Sequence, residues 1–325
     1  MQRNGGSTIA AVLVFTVRRL VIFAVSLWAA SVVVFVVLSV LPGDPATLIL
    51  GTQATPEALA AVRAELGLDR PLVVQYVDWL GGVVTGDLGT SYISGLPVGS
   101  QIVDRLQVTI PLAAFGIALS ILGAVPAGIV AAARHRRLAD TVISTASQLG
   151  LAVPAFWAGL MFVTFLAVRW RLFPAGGFPG WGEDFWGSVR ALVLPAVSLA
   201  LVQGAILTRY VRSAVLEVLN EDFIRTARAK GLTRTAALWR HGLRNAAIPV
   251  VTILGLQLAA LLAGTVVIES VFVLPGLGNL LLQAITRRDL LLVQGAAFVI
   301  TAVILVVNLA VDLVYPLIDP RVRRT

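Results

Sequence analysis

Leu20-Val21-Ile22-Phe23-Ala24-Val25-Ser26-Leu27-Trp28-Ala29-Ala30-Ser31-Val32-Val33-Val34-Phe35-Val36-Val37-Leu38-Ser39-Val40-Leu41 runs for 22 residues without a charge. A helix crossing a bilayer's hydrocarbon needs about 20 such residues. Five more windows of this kind follow: Leu106–Ala133, Thr141–Val168, Ala191–Thr208, Ala246–Ile268 and Leu290–Val311. The fourth span, Ala191–Thr208, is the shortest, and it can extend past Arg209 because a terminal arginine snorkels to the interface. A further uncharged stretch, Ser270–Thr286, carries Pro275, Gly276 and Gly278 near its middle. It reads as a re-entrant or surface loop. The expectation is an all-α polytopic membrane protein with six transmembrane helices; five is the competing count.

Composition agrees. Of 325 residues, 58% are hydrophobic and 13% charged, with a mean hydropathy of +0.91. Soluble chains average roughly 45–50% apolar and about 25% charged residues. A soluble enzyme, a disordered chain and a disulfide scaffold (there is no cysteine) are excluded as first readings. The first apolar run is longer than the roughly 7–15 residues of a signal-peptide core, and Leu41-Pro42-Gly43-Asp44-Pro45 is no small-residue cleavage site.

The net charge of +8 records topology rather than nucleic-acid binding. With six spans, one side of the membrane holds the N-terminus, the loops between helices 2 and 3 and between 4 and 5, and the C-terminus. That side has 17 of the 25 basic residues; the other has 8, against 11 of the 17 acidic ones. The positive-inside rule then puts both termini in the cytoplasm.

Between the spans, Pro42–Gln107 is polar enough to form small surface elements. Thr55-Pro56-Glu57 reads as an N-cap followed by proline at the first helical position. Leu59, Val62 and Leu66 then keep helical spacing, and Gly67 closes the helix. Asp69 and Pro71 start a second short helix through Trp79-Leu80, loosened afterwards by Gly81, Gly82 and Gly86. Such helices can form a partner's docking rim or a lid over helix ends.

On the cytoplasmic side, Glu221 and Asp222 open a helix that Gly231 stops, and Thr233 caps a second. The second presents Ala237, Leu238, Trp239, His241 and Leu243 before Pro249 opens the next span. A helix–Gly–helix element with an apolar ridge and a basic flank suits a partner's groove. It equally suits a lipid surface, where its arginines would meet anionic headgroups.

The segment Glu221–Pro249 resembles the cytoplasmic signature loop of permease subunits of binding-protein-dependent ABC importers, in the oligopeptide/dipeptide/nickel branch. The branch pattern of acid, aromatic, apolar, Arg-Thr-Ala-Arg-Ala-Lys-Gly and then Arg-His-x-x-Arg-Asn-Ala-x-x-Pro is met at every position. Leu41–Ala46, Leu66–Asp69 with Gln75-Tyr76 and Gly86–Gly89, Glu269 with Phe272 and Pro275–Gly278, and Asn308, Asp312, Tyr315 with Asp319-Pro320-Arg321 fit the same branch in order. One departure stands out: the wider superfamily opens this signature with an acid and two alanines, where Arg225-Thr226-Ala227 stands here.

The resemblance implies a type I ABC importer permease fold, with an N-terminal part (1–105: one helix plus the external segment) and a five-helix core (106–325). It implies a second homologous permease subunit, two ATPase subunits that bind ATP and magnesium, an extracytoplasmic substrate-binding protein, and a location in the bacterial plasma membrane. It assigns ATPase coupling to the loop 220–249, through Glu221, Arg225, Ala227, Lys230, Gly231, Leu238, Trp239, Arg240, His241, Arg244, Asn245 and Pro249, with the short helix after Gly231 as coupling helix. Peptides are the implied substrate, with oligopeptides preferred to dipeptides because the external segment is long. Nickel chelates and glutathione-type substrates are the alternatives.

The chain itself carries no ATP chemistry. Lys230 is its one lysine and stands in Arg-Ala-Lys-Gly, which is no phosphate cradle. Two histidines without cysteine predict no transition-metal site, and no catalytic residue or cofactor is expected in the chain. Asp312 is the acid well inside an apolar run, so a proton-coupled transporter would rest on it. A structural pair with an arginine is the plainer reading. Gln148, Gln203, Gln257, Thr265 and Asn308 are the uncharged candidates for lining a passage. Glu269 is either part of an outer gate or an acid solvated at a helix end. Pro126, Pro154 and Pro195 are expected to kink three spans.

Overall fold

The computed structural model describes residues 5–40, 45–51 and 54–318. Residues 41–44 and 319–321 of the resemblance, with Arg3, Arg323 and Arg324, lie outside them. Among the described residues the fold is all-helical, at 82% helix, as expected of an ABC importer permease. Among the described residues, five helices are long and apolar enough to cross a membrane, or six if one bent pair is a single span.

In chain order the helices are α1 (Gly5–Val40), α2 (Pro45–Leu50), α3 (Pro56–Glu65), α4 (Leu72–Thr85), α5 (Val98–Ala133), α6 (Leu138–Ala152) and α7 (Ala155–Phe162), which continues as a π-helical stretch over Val163–Arg169. Then come α8 (Phe185–Leu219), α9 (Asp222–Ala229), α10 (Arg234–Ala237), a π-helical turn over Leu238–Gly242, α11 (Leu243–Val271), α12 (Leu277–Arg287) and α13 (Leu290–Ile318).

Three expectations need correction. The third span is not one rod: α6 and α7 meet at 96°. Pro154 lacks an N–H to continue the ladder and pushes Val153 before it into extended backbone (φ −95°, ψ 117°). Pro126 and Pro195 lie inside the continuous α5 and α8. Second, α4 does not loosen at Gly81 and Gly82 but runs through them to Gly86, whose left-handed φ of 84° closes it. Third, Ser270–Thr286 is not all loop. It holds α12, which buries Leu277, Gly278, Leu280 and Ala284 on one face.

The chain divides into two compact units. The first comprises residues 1–20, 110–274 and 306–325. Its centre is α8, against which α6, α7 and α11 pack. Leu192, Leu207, Val211 and Val215 of α8 are among its fully enclosed side chains. The second comprises residues 21–109 and 275–305. Its core joins Val98 and Ile102 of α5 to α12 and the start of α13 through Leu277, Leu280, Leu292 and Ala296. An aromatic cluster of Phe35, Tyr76, Trp79 and Phe298, with ring centroids 5.4–6.3 Å apart, ties α1, α4 and α13 together. Buried Asp289 accepts from the Ser91 hydroxyl and caps α13 through the Leu292 N–H at 3.4 Å. As the sequence indicates, Thr55 caps α3, accepting from the Ala58 N–H at 3.2 Å, with Pro56 at the first helical position.

Candidate functional site

The segment after α8 is built from two arms meeting at Gly231. The first, α9, opens on Glu221, whose carbonyl receives the N–H groups of Ile224 and Arg225 at 3.1 and 3.2 Å. Asp222 in its first turn and Arg228 in its last face the helix dipole with the favourable signs. Only Ile224 and Ala227 turn inward, three residues apart. They join the core made by Val215, Val218 and Leu219 of α8 with Ala237 and Leu238. The remaining residues of α9, the Arg225–Asp222 pair at 3.1 Å included, are exposed.

Gly231 takes φ 93°, a left-handed conformation that costs a side-chain-bearing residue roughly 1–2 kcal/mol. It turns the chain so that Thr233 can cap the second arm, accepting from the Ala236 N–H at 3.2 Å. That cap stands where the sequence put it, but the helix it opens is not a separate short element. From Arg234 the backbone stays helical through the π turn into α11 and on to Val271, one 38-residue apolar rod. Pro249 lies inside this rod and does not start it. The π turn holds Ala237 and Leu238 on the inner side with Gly242, Ala246 and Val250.

Gly242 is a residue that sequence reasoning passed over. A Cβ there would stand 2.8 Å from the end of the Leu238 side chain in the same arm and 3.2 Å from that of Val218 on α8, so a larger residue requires both to shift. A glycine inside an otherwise helical pattern was the available signal.

Of the twelve residues assigned to coupling, Ala227 and Leu238 are buried as packing contacts. The other ten, Glu221, Arg225, Lys230, Gly231, Trp239, Arg240, His241, Arg244, Asn245 and Pro249, are exposed. Trp239, at 63% exposure, is a large apolar side chain beside arginines on one surface.

A second buried cluster ties α6 to α8 in the same unit. Asp140, 5% exposed, is held by Arg212 of α8 through two charge-assisted bonds of 2.6 and 2.9 Å. The Arg136 N–H donates to it at 3.0 Å, and His135 Nδ1 lies 3.0 Å from the same carboxylate oxygen. Ser144 also contacts this carboxylate, at 3.3 Å. The hydroxyl bonds the acid and not the imidazole, so a serine, a histidine and an aspartate converge without a nucleophile–base contact. The cluster pins helices. The sequence reading counted the arginines as topology charges and missed Asp140, the acid standing four residues after one of them.

The passage candidates divide by depth. Gln203, Gln257, Thr265 and Glu269 are buried, on α8 and α11, whereas Gln148 is exposed and Asn308 half-buried. Gln257 Nε2 donates to the Gln203 carbonyl at 3.1 Å, joining the two helices. The side-chain oxygens of both glutamines are buried with no protein donor in reach. Glu269 is not a solvated helix-end acid: its exposure is 0%. The chain folds back over it, with the Leu274 N–H on the Glu269 carbonyl at 2.8 Å and Phe272 and Leu274 themselves enclosed. Asp312 pairs with Arg19 at 3.0 Å, both about 40% exposed, and the Arg19 guanidinium also lies over the Phe15 ring.

Residues 124–324 match the family described as the binding-protein-dependent transport system inner membrane component. Residues 12–113 match the N-terminal region of such membrane components. The dipeptide transport system permease protein DppB of Escherichia coli K12 is 38% identical over 333 aligned positions, spanning 95% of this chain and 98% of that one. A Brucella abortus protein provisionally named a peptide transport system permease is 42% identical, over 90% of this chain and 93% of its own. Among solved structures, a chain of the MetNI methionine ABC transporter superposes with a TM-score of 0.53 at 16% identity, covering 67% of this chain and 96% of that one, which is a likeness of fold.

Proposed function

The chain belongs to the binding-protein-dependent transport system inner membrane component family, and from that premise we propose that it is a permease subunit of an ATP-driven importer of peptides. It forms half of the translocation pathway beside a second permease subunit in the bacterial inner membrane, with both termini in the cytoplasm. Two ATPase subunits bind ATP and magnesium below it, and a substrate-binding protein delivers peptide from the other side. The assignment to peptides draws on the relatives' names. Preference for oligopeptides does not follow from the external segment, because the dipeptide permease matches this chain over 95% of its length.

The observation that carries the reading is the two-armed segment. Two buried anchors, Ile224 and Leu238, leave exposed basic side chains and Trp239 facing outward, and one arm is continuous with an apolar rod long enough to cross the membrane. Force applied by ATPase closure at Trp239, Arg240 and Arg244 would pass along that rod to Gln257, Thr265 and Glu269. The helix expected after Gly231 is continuous with α11, so the proposed contact stands at the end of that rod. α9 is the discrete helix, and the residues after Gly231 are the end of a span.

A proton relay through Asp312 is disfavoured by its partner. Asp312 lies 3.0 Å from the Arg19 guanidinium, and the pair fastens α1 to α13, which supports the structural role.

The test uses the assembled complex in vesicles. Trp239→Asp places a charge on the proposed contact and leaves the buried anchors intact. Peptide uptake is expected to fall at least tenfold, with peptide-stimulated ATP hydrolysis lost. Normal uptake by this variant, or uptake by the chain alone without nucleotide, would sink the reading.

A further inference from the structure

We propose that the C-terminal cap of α11 is the latch of an outer gate, with Phe272 as its plug and Val273 as the strained residue that keeps it able to open. This rests on the importer reading above, in which the arm at Gly231 is cytoplasmic. α11 runs 29 residues away from that arm, roughly 43 Å of helix, so its far end lies toward the opposite face.

That end is closed by two backbone bonds. The Leu274 N–H donates to the Glu269 carbonyl at 2.8 Å, and the Val273 N–H to the Ser270 carbonyl at 3.4 Å. Such a closure requires one residue in left-handed backbone, a place usually given to glycine. α3, α4 and α9 end with the same pair of bonds, on Gly67, Gly86 and Gly231. α12 uses Arg288. α11 uses Val273, at φ 52°, the one β-branched residue with positive φ among the described residues. A branch at Cβ makes that backbone a genuine outlier. The Val273 side chain is 68% exposed, so its own burial does not hold it there.

The neighbours of Phe272 hold it instead. The Gly177 N–H donates to the Phe272 carbonyl at 3.1 Å, and a Cβ on Gly176 would stand 2.5 Å from that same oxygen. The enclosed Phe272 ring rests on Gly159 of α7, where a Cβ would come within 3.0 Å of it. Gly159 and Gly176 make room for this one residue, and Glu269 lies fully enclosed under the turn. Strain of this kind persists where the surroundings over-determine it. Opening returns Val273 to ordinary backbone, which offsets part of the lost contacts. Left-handed backbone at a residue other than glycine shifts the balance toward opening by about tenfold.

Val273→Asn in the assembled complex reads the latch. Asparagine is enriched in left-handed backbone and lacks the added freedom of glycine. Exchange of the Gly177 amide, which is freed when the turn opens, should slow about tenfold. Peptide uptake should fall severalfold although the closed chain has become more stable. Val273→Ile is the conservative variant: it keeps the branch, and it should keep both readouts. A residue that merely ends a helix would gain stability with no loss of uptake, and that result overturns the proposal. Unchanged exchange in Val273→Asn overturns it too, because the valine would then store no strain. Trp239→Asp keeps the two readings apart. Loss of uptake there beside normal uptake in Val273→Asn sinks the gate alone, whereas the converse sinks the ATPase contact and leaves the gate standing.

Discussion

The two arms flanking Gly231 have similar compositions, alanine and arginine around a few apolar residues, yet they are attached to the molecule in opposite ways. α9 is eight residues long and is held to α8 by Ile224 and Ala227. Helices of that length have little stability of their own, so its position depends on tertiary contacts. The second arm is covalently and helically one with α11, from Arg234 to Val271. A helix rod transmits displacement along its axis, whereas a short helix on two side chains can rock. The contrast suits the proposed coupling, with α9 as its seat and the second arm as its lever.

The variant that separates the two arms most strongly is Ile224→Ala. Removing a fully enclosed isoleucine side chain costs about 2–5 kcal/mol. Amide exchange in α9 should rise by two to three orders of magnitude while Thr252–Ile268 keeps its protection. Equal loss along both would mean that the arms form one unit. Gly242→Ala tests the other attachment. Its new methyl meets Leu238 and Val218, and overpacking of that kind costs about 1–3 kcal/mol. The midpoint of thermal unfolding should fall, and exchange should rise in both arms because the contact is shared.

Gly231→Ala comes next. Nothing lies within 4 Å of a Cβ at this position, so its effect is purely that of the left-handed backbone, about 1–2 kcal/mol. A drop in uptake with unchanged exchange at Leu238 would place the consequence in the relative aim of the arms. Unchanged uptake would show that the turn is only a helix stop.

Much of this was readable in the residues. Five of the six expected spans became unbroken helices, because an uncharged run of 20 residues has few other stable states in a bilayer. Caps were legible where a side chain alone decides, at Thr55 and Thr233. Boundaries inside apolar sequence were not. Pro154 ends a helix while Pro126, Pro195 and Pro249 sit within helices, so the presence of a proline alone does not tell the two outcomes apart in the sequence. The depth of Glu269 was hidden for a related reason. A helix-end acid looks solvated until the turn at Phe272–Leu274 folds over it. The Asp140–Arg212 bonds join residues 72 positions apart, beyond the reach of any local pattern.

The smallest structural effect bears most directly on the seat. Arg225 and Asp222 pair at 3.1 Å with 71% and 93% of their side chains exposed, so the pair contributes at most about 0.5 kcal/mol. Arg225→Ala should therefore leave the unfolding midpoint of the purified chain within a degree or two of its normal value. If α9 seats against a partner, the same change removes a guanidinium from that contact, and peptide uptake by the complex should fall severalfold. The fall should deepen with ionic strength, since the remaining exposed cations Arg228 and Lys230 are screened by salt. The two readouts must part for the distinction between seat and lever to hold. Unchanged uptake in Arg225→Ala, set beside a loss in Trp239→Asp, would leave the rod as the working contact and reduce α9 to a spacer.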